Sequence, residues 1–190
     1  MKAKFKLATP VGPQDHVQGD QEAPLTLVEY GDFECPHCLR AHIVVKALQK
    51  HFGKNLRYVF RNFPLSQIHP NAELAAEAAE ASGAQGQYWK MHDALFDNQH
   101  ALDPELILAL GKELAPDPPR FVVDLENGTF KGKVRQDFLG GVESGVKGTP
   151  TFFINGEHYD GPWSPADLFI EALIEAGNRR STVARGPSLT

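Results

Sequence analysis

The chain has 190 residues, enough for one domain or one domain carrying an insertion. Hydrophobic residues make up 42%, which supports a packed core and excludes a disordered chain. A net charge of −5, from 19 basic and 24 acidic residues, argues against a nucleic-acid binder, since such proteins turn a basic face to the phosphates.

No stretch approaches the ~20 apolar residues of a membrane span. Residues 1–8 carry the charges of a signal peptide but not the ~7–15 residue apolar region that would follow them. As written, the sequence reads as cytoplasmic. The alternative is a periplasmic or other extracytoplasmic protein whose signal or anchor has been removed.

Residues 1–23 read as a turn-rich arm (Pro10, Gly12, Pro13, Gly19) with a short strand near Phe5–Leu7. Residues 25–30 form a strand ended by Gly31-Asp32, with Leu25, Leu27 and Glu29 on one face. A helix runs from Pro36, which suits a first helical position, to Phe52, with Gly53 as the stop. Its apolar repeat is Leu39, Ile43, Val44, Ala47 and Leu48. Residues 56–61 are a second strand, so residues 24–62 make a βαβ unit with two parallel strands. Helices follow at 71–82, 87–96, 103–114, 117–125 and 129–141. Asp103-Pro104 and Asp117-Pro118 supply caps and first-turn prolines. Residues 151–154 are a strand, Asn155-Gly156 a two-residue hairpin turn, and 157–159 the return strand. Ser164-Pro165 opens a last helix reaching about Ala176, and residues 179–190 read as a flexible tail. The order is βαβ, helices, then ββα. A connection as long as residues 63–144 must have structure of its own, so these helices form an insertion on the sheet unit.

The chain has 2 cysteines, Cys35 and Cys38. A disulfide between them closes a very small ring and adds little stability, so a structural staple is a poor account of the pair. Cys35 falls where a strand hands over to a helix, and free N–H groups and the helix dipole there favour a thiolate, the reactive form. Cys38 lies one turn on and can resolve a mixed disulfide. His37 can donate to the thiolate or, protonated, stabilise its charge, which favours the reduced form and makes the pair more oxidising. Glu29, on the inner face of its strand, is positioned to relay protons to and from Cys38 with a raised pKa. Zinc would need a second CxxC or a matching histidine pair, and neither is present, so no metal site is expected. His42 and His51 are expected to face away from the cysteines, and His16, His69, His92, His100 and His158 to be surface or capping groups. Most aromatics belong to the core, with Phe33 and Trp163 the better candidates for a peptide groove.

Cys-Pro-His-Cys at a helix start, the run Glu29-Tyr30-Gly31-Asp32-Phe33-Glu34 before it, and Gly148-Thr149-Pro150 near the third strand resemble the DsbA family of thioredoxin-fold proteins. The resemblance covers about residues 20–178 and is strongest to bacterial domains that stand alone or are fused to sodium/proton antiporters. It implies an α/β, thioredoxin-like fold, a central mixed sheet flanked by helices, made by residues 24–62 and 145–178 with an all-helical insertion at 63–144. It further implies Cys35 as nucleophile, Cys38 as resolving thiol, and Pro150 as a cis-proline beside them. The backbone at Thr149 would then pair with a bound peptide as an added strand. The expected function is disulfide exchange with protein or peptide thiols, oxidase-leaning and without a cofactor, reset by a redox partner. The alternatives are a non-catalytic peptide-binding or regulatory module of a transporter, and a glutathione-linked reductase.

Overall fold

The computed structural model describes residues 5–184, with side chains to residue 178. The strands are β1 (His16–Gln18), β2 (Leu25–Gly31), β3 (Leu56–Asn62), β4 (Thr151–Ile154) and β5 (Glu157–Tyr159). The helices are α1 (Pro36–Phe52), α2 (Ala72–Gly83), α3 (Tyr88–Asp97), α4 (Pro104–Leu114), α5 (Pro118–Glu126), α6 (Lys131–Glu143) and α7 (Ala166–Ala184). The sheet order is β1-β3-β2-β4-β5, with β2 parallel to β3 and the other pairs antiparallel. This is the thioredoxin-like arrangement of a mixed sheet between helices.

β2 lies mid-sheet and is buried along its whole length, as a strand covered on both faces must be. On one face Leu25, Leu27, Tyr58 and Phe60 pack with α1, α2, α3 and α7. On the other, Val28, Tyr30, Val59 and Phe153 pack with Leu7, Val11 and Phe138. Asp103 and Asp117 cap α4 and α5 by accepting from the N–H groups of Leu106 and Arg120. Asn155 and Gly156 both take positive φ, 51° and 84°, which the tight hairpin requires. Asn155 also ties that hairpin to the start of β2, its N–H donating to Thr26 O and its Oδ1 accepting from Thr26 N–H.

Four expectations need correction. The strand in the arm is His16–Gln18, not Phe5–Leu7, where Lys6 makes only an isolated bridge to Glu157. The free edge of β3 takes the first extended segment that reaches it, pairing His16 with Phe60. Helix α1 buries Cys38, Ala41, His42, Val45 and Leu48, whereas Ile43 is 64% exposed. Two apolar stripes compete on this helix, and the one in line with Cys38 faces the sheet. Helix α7 continues to Ala184, so residues 179–184 are helix rather than tail, and residues 185–190 lie outside the described residues. His92, expected at the surface, is 1% exposed in an aromatic cluster with Phe33, Phe60 and Phe96. Among the described residues no helix is long and apolar enough to cross a membrane.

Candidate active site

Cys35 is the N-cap residue of α1 in extended backbone conformation, and Pro36 follows where a missing N–H is harmless. Its carbonyl accepts from the N–H groups of Cys38 and Leu39, which starts the helix. Its Sγ points instead toward the loop before β4, donating to Thr149 O at 3.4 Å. The Thr149–Pro150 peptide bond is cis. The two cysteines are free thiols, and both side chains are buried.

The two sulfurs differ sharply in acidity. A hydrogen bond from the Cys38 thiol brings the Cys35 thiol down to about 5, against the burial that would raise it. The N–H groups of Cys38 and His37, at the helix start, act in the same direction. Burial, with the hydrogen bond to Cys35, pushes Cys38 well above the ordinary thiol value. The Cys38 sulfur accepts from Asp32 N–H at 3.4 Å.

Glu29 lies beneath this pair. In the register it stands between Phe60 of β3 and Phe152 of β4, and it is 1% exposed. The Tyr58 hydroxyl donates to its Oε2 at 2.7 Å, and Oε1 has no hydrogen-bond partner among the described residues. Burial raises the carboxyl to about 8, opposed by the Tyr58 bond and assisted by the charge on Cys35. Gly31 permits the crowding here, since a Cβ on it would overlap the Phe60 ring.

The remaining expected residues fall outside this group. The His37 side chain is at the surface, and its Nδ1 accepts from the Arg40 guanidinium rather than donating to the thiolate. Phe33 is not a groove residue: it is 1% exposed, with its ring 5.1 Å from those of Phe60 and Phe96. A large aromatic beside a buried sheet gains more by packing inward than by lining a loop. Trp163 is half-buried, 6.1 Å from the Phe152 ring.

Sequence reasoning missed the residues that hold the site together. Asp32 is 2% exposed, and its carboxylate accepts from Glu34 N–H, Leu65 N–H and His69 Nδ1, each at 2.8 Å. Gln99 donates to the carbonyls of Phe33 (2.7 Å) and Cys35 (3.0 Å). Tyr58, in β3, belongs with them. Its signal was available, because pairing the two strands puts it on the same inner face as Glu29.

Among the described residues, one group of metal-ligand types comes together: His42, His92 and Asp93. Lys46 Nζ already sits 2.6 Å from Asp93 Oδ2, so an ammonium neutralises the carboxylate a cation would use. The arrangement is a partly exposed ion pair beside a buried histidine, with its carboxylate already matched by a cation.

The thioredoxin family pattern matches residues 12–176. The chain belongs to that family. Among curated relatives, this thioredoxin-family domain is 46% identical over 171 residues to the Na(+)/H(+) antiporter NhaA 1 of Salinispora arenicola. It is 39% identical over 183 residues to NhaA of Herminiimonas arsenicoxydans. These alignments cover 90% and 96% of this chain but only 25% and 29% of the relatives, so the domain spans about a quarter of their length. Among solved structures, BdbD from Bacillus subtilis superposes with a TM-score of 0.81 at 24% identity, covering 92% of this chain and 98% of that one. A thioredoxin-like oxidoreductase from Silicibacter pomeroyi gives 0.72 at 26%, covering 90% and 94%. The DsbA-type fold, helical segment included, is therefore shared along most of the domain.

Proposed function

We propose that the domain is a thiol–disulfide oxidoreductase that acts on protein or peptide thiols through Cys35 and Cys38 and leans toward oxidation. The observation that carries this reading is the contrast between the two sulfurs. Cys35 is held near 5 at a helix start beside the Thr149 carbonyl, while Cys38 is kept protonated by burial. A thiolate stabilised in the reduced form makes the disulfide form a better oxidant.

In the oxidising direction a substrate thiolate attacks Cys35 of the Cys35–Cys38 disulfide. The S–S bond breaks, Cys38 leaves with the electron pair, and Glu29 supplies its proton. A second substrate thiolate then attacks the mixed disulfide, and Cys35 leaves as its stabilised thiolate. The substrate gains a disulfide, the pair gains two electrons, and a redox partner must remove them. The edge at Thr149 and Pro150 would take the substrate chain as an added strand, with Pro36, His37 and Trp163 as rim contacts. The sulfurs carry the electrons, so the chemistry requires no cofactor.

The test is Cys35→Ser, which should abolish insulin reduction and thiol oxidation, whereas Cys38→Ser should accumulate the mixed disulfide. The reduction potential against glutathione assigns direction: near about −120 mV means oxidase, near about −270 mV reductase. A Cys35 thiol that titrates like free cysteine would sink the proposal.

A second reading rests on the antiporter relatives. Since this domain accounts for a quarter of their length, a non-catalytic module that regulates a transport partner is its natural rival. Such a module would keep its partner in the Cys35→Ser variant.

A further inference from the structure

We propose that Tyr58 is a positioning residue for disulfide exchange: by holding Oε2 of Glu29 it leaves Oε1 as the oxygen that trades a proton with Cys38. This rests on the relay reading of Glu29 above.

The geometry begins with the groups that face Glu29. From β3 it meets the Tyr58 hydroxyl at 2.7 Å. At the start of α1, the charge on Cys35 acts on Glu29, and the charge on Glu29 acts on the Cys38 thiol. The Tyr88 phenol on α3 lies farther off. β4 offers only the Phe152 ring, its register partner. Among the described residues no ion pair reaches Glu29. Among the described residues Tyr58 is thus the single hydrogen-bond partner that distinguishes one carboxyl oxygen from the other.

Tyr58 acts as a donor throughout, because burial and the neighbouring carboxylate keep its phenol protonated. While it donates to Oε2, that oxygen must be an acceptor. A proton on Oε2 would leave Tyr58 a hydroxyl oxygen, a poorer acceptor than a carbonyl oxygen, or turn the bond round so that the tyrosine oxygen accepts and its own hydrogen is stranded in the core. The proton of neutral Glu29 therefore resides on Oε1, the oxygen without a partner. When Cys38 attacks a mixed disulfide at Cys35, its S–H proton passes to Oε1 of the carboxylate. The Cys35–Cys38 bond forms, the mixed disulfide breaks, and the substrate sulfur leaves as thiolate. The reverse step returns the proton from Oε1 to Cys38.

The test compares Tyr58→Phe, Glu29→Gln and the double variant, following the exchange rate against pH. Tyr58→Phe keeps the ring against Trp89 and removes one hydrogen bond to the carboxylate. The pH midpoint of the Glu29-dependent limb should move up by about one unit. Glu29→Gln should erase that limb, and adding Tyr58→Phe to it should change nothing more. A midpoint unmoved in Tyr58→Phe, with the limb lost in Glu29→Gln, overturns the role of Tyr58 and leaves the relay standing. A limb that survives Glu29→Gln overturns the relay itself. In the unmodified protein, the Tyr58 hydroxyl proton should shift in NMR spectra with the same midpoint as the Glu29 carboxyl. A hydroxyl resonance that ignores that titration also overturns the proposal.

Discussion

The two faces of the central sheet each bury an ionisable group, and they treat it in opposite ways. On the outer face, Arg61 of β3 is 4% exposed in its side chain, and its donors are all engaged in one cluster. Nε and a terminal nitrogen bind both oxygens of Asp15, at 2.7 and 2.9 Å. The carbonyls of Thr9 and Pro10 and the hydroxyl of Tyr30 take the rest. Burial pushes Asp15 up, yet the Arg61 bonds bring it below the usual carboxylate value. On the inner face, Glu29 has one side-chain hydrogen bond and no counter-charge among the described residues, and burial lifts it to about 8. A buried charge with every bond satisfied is structure. One left short of partners, coupled by charge to a buried thiol, is the group suited to move a proton in the proposed exchange.

The strongest way to break this contrast is to remove Arg61. Arg61→Met leaves the Asp15 carboxylate buried without its partner, and loss of one member of such a pair costs ~3–5 kcal/mol. The melting temperature should fall by roughly 10 °C in a domain of this size. The rate of disulfide exchange per folded molecule should stay as it was, because the cluster lies across the sheet from the cysteines. If stability holds, or if exchange falls in proportion, the two faces are not separate in function.

The contrast sharpens in the pH dependence of stability. Glu29 releases its proton near 4.5 in the unfolded chain and near 8 in the folded one. Between those values the folded state holds the extra proton, so this group makes stability fall as pH rises, by up to ~1.4 kcal/mol per unit. Cys35, lowered from 9.0 to about 5, does the reverse in the reduced protein. Between 5 and 9 the unfolded chain holds the extra proton, and stability rises with pH. The two slopes oppose each other across pH 5 to 8. Denaturant unfolding of reduced Glu29→Gln should therefore show stability climbing through that window more steeply than the parent. Equal slopes would mean that Glu29 ionises in the fold as it does in water.

What the sequence made legible follows the range of each interaction. The Cys35–Cys38 pair, the helix that opens at Pro36, the Asp103 and Asp117 caps and the Asn155-Gly156 turn are decided within a few residues. Glu29 could be placed because strand parity is also local. Asp32 looked like a turn residue, since its partners Leu65 and His69 are over thirty positions away and their approach depends on the folded insertion. Gln99 was invisible for the same reason, being 64 residues from the Cys35 carbonyl that it holds. Phe33 departs from its expected place because a loop position ordinarily implies exposure. In fact the loop is roofed by α3, whose Phe96 and His92 receive the ring. The arm strand was misplaced because edge pairing depends on which segment reaches β3 in space, not on local propensity.

Gln99 supplies the finest test, because it is a neutral group that braces the inner region through its amide nitrogen. Its amide nitrogen bridges the carbonyls of Phe33 and Cys35, the two residues that carry the backbone around the turn before α1. Gln99→Ala should cost about 1 kcal/mol in stability, the ordinary worth of a hydrogen bond lost at a half-buried site. It changes no charge near either sulfur, so the Cys35 thiol should still ionise near 5 in a thiolate absorbance titration. The exchange rate should drop a few-fold, through looser placement of Cys35 against the Thr149 carbonyl. An upward move of the Cys35 ionisation in that variant would show that the low acidity constant depends on a fixed loop. Were that so, the inner face would owe its reactivity to satisfied bonds as much as to missing ones, and the division between the two faces would have to be redrawn.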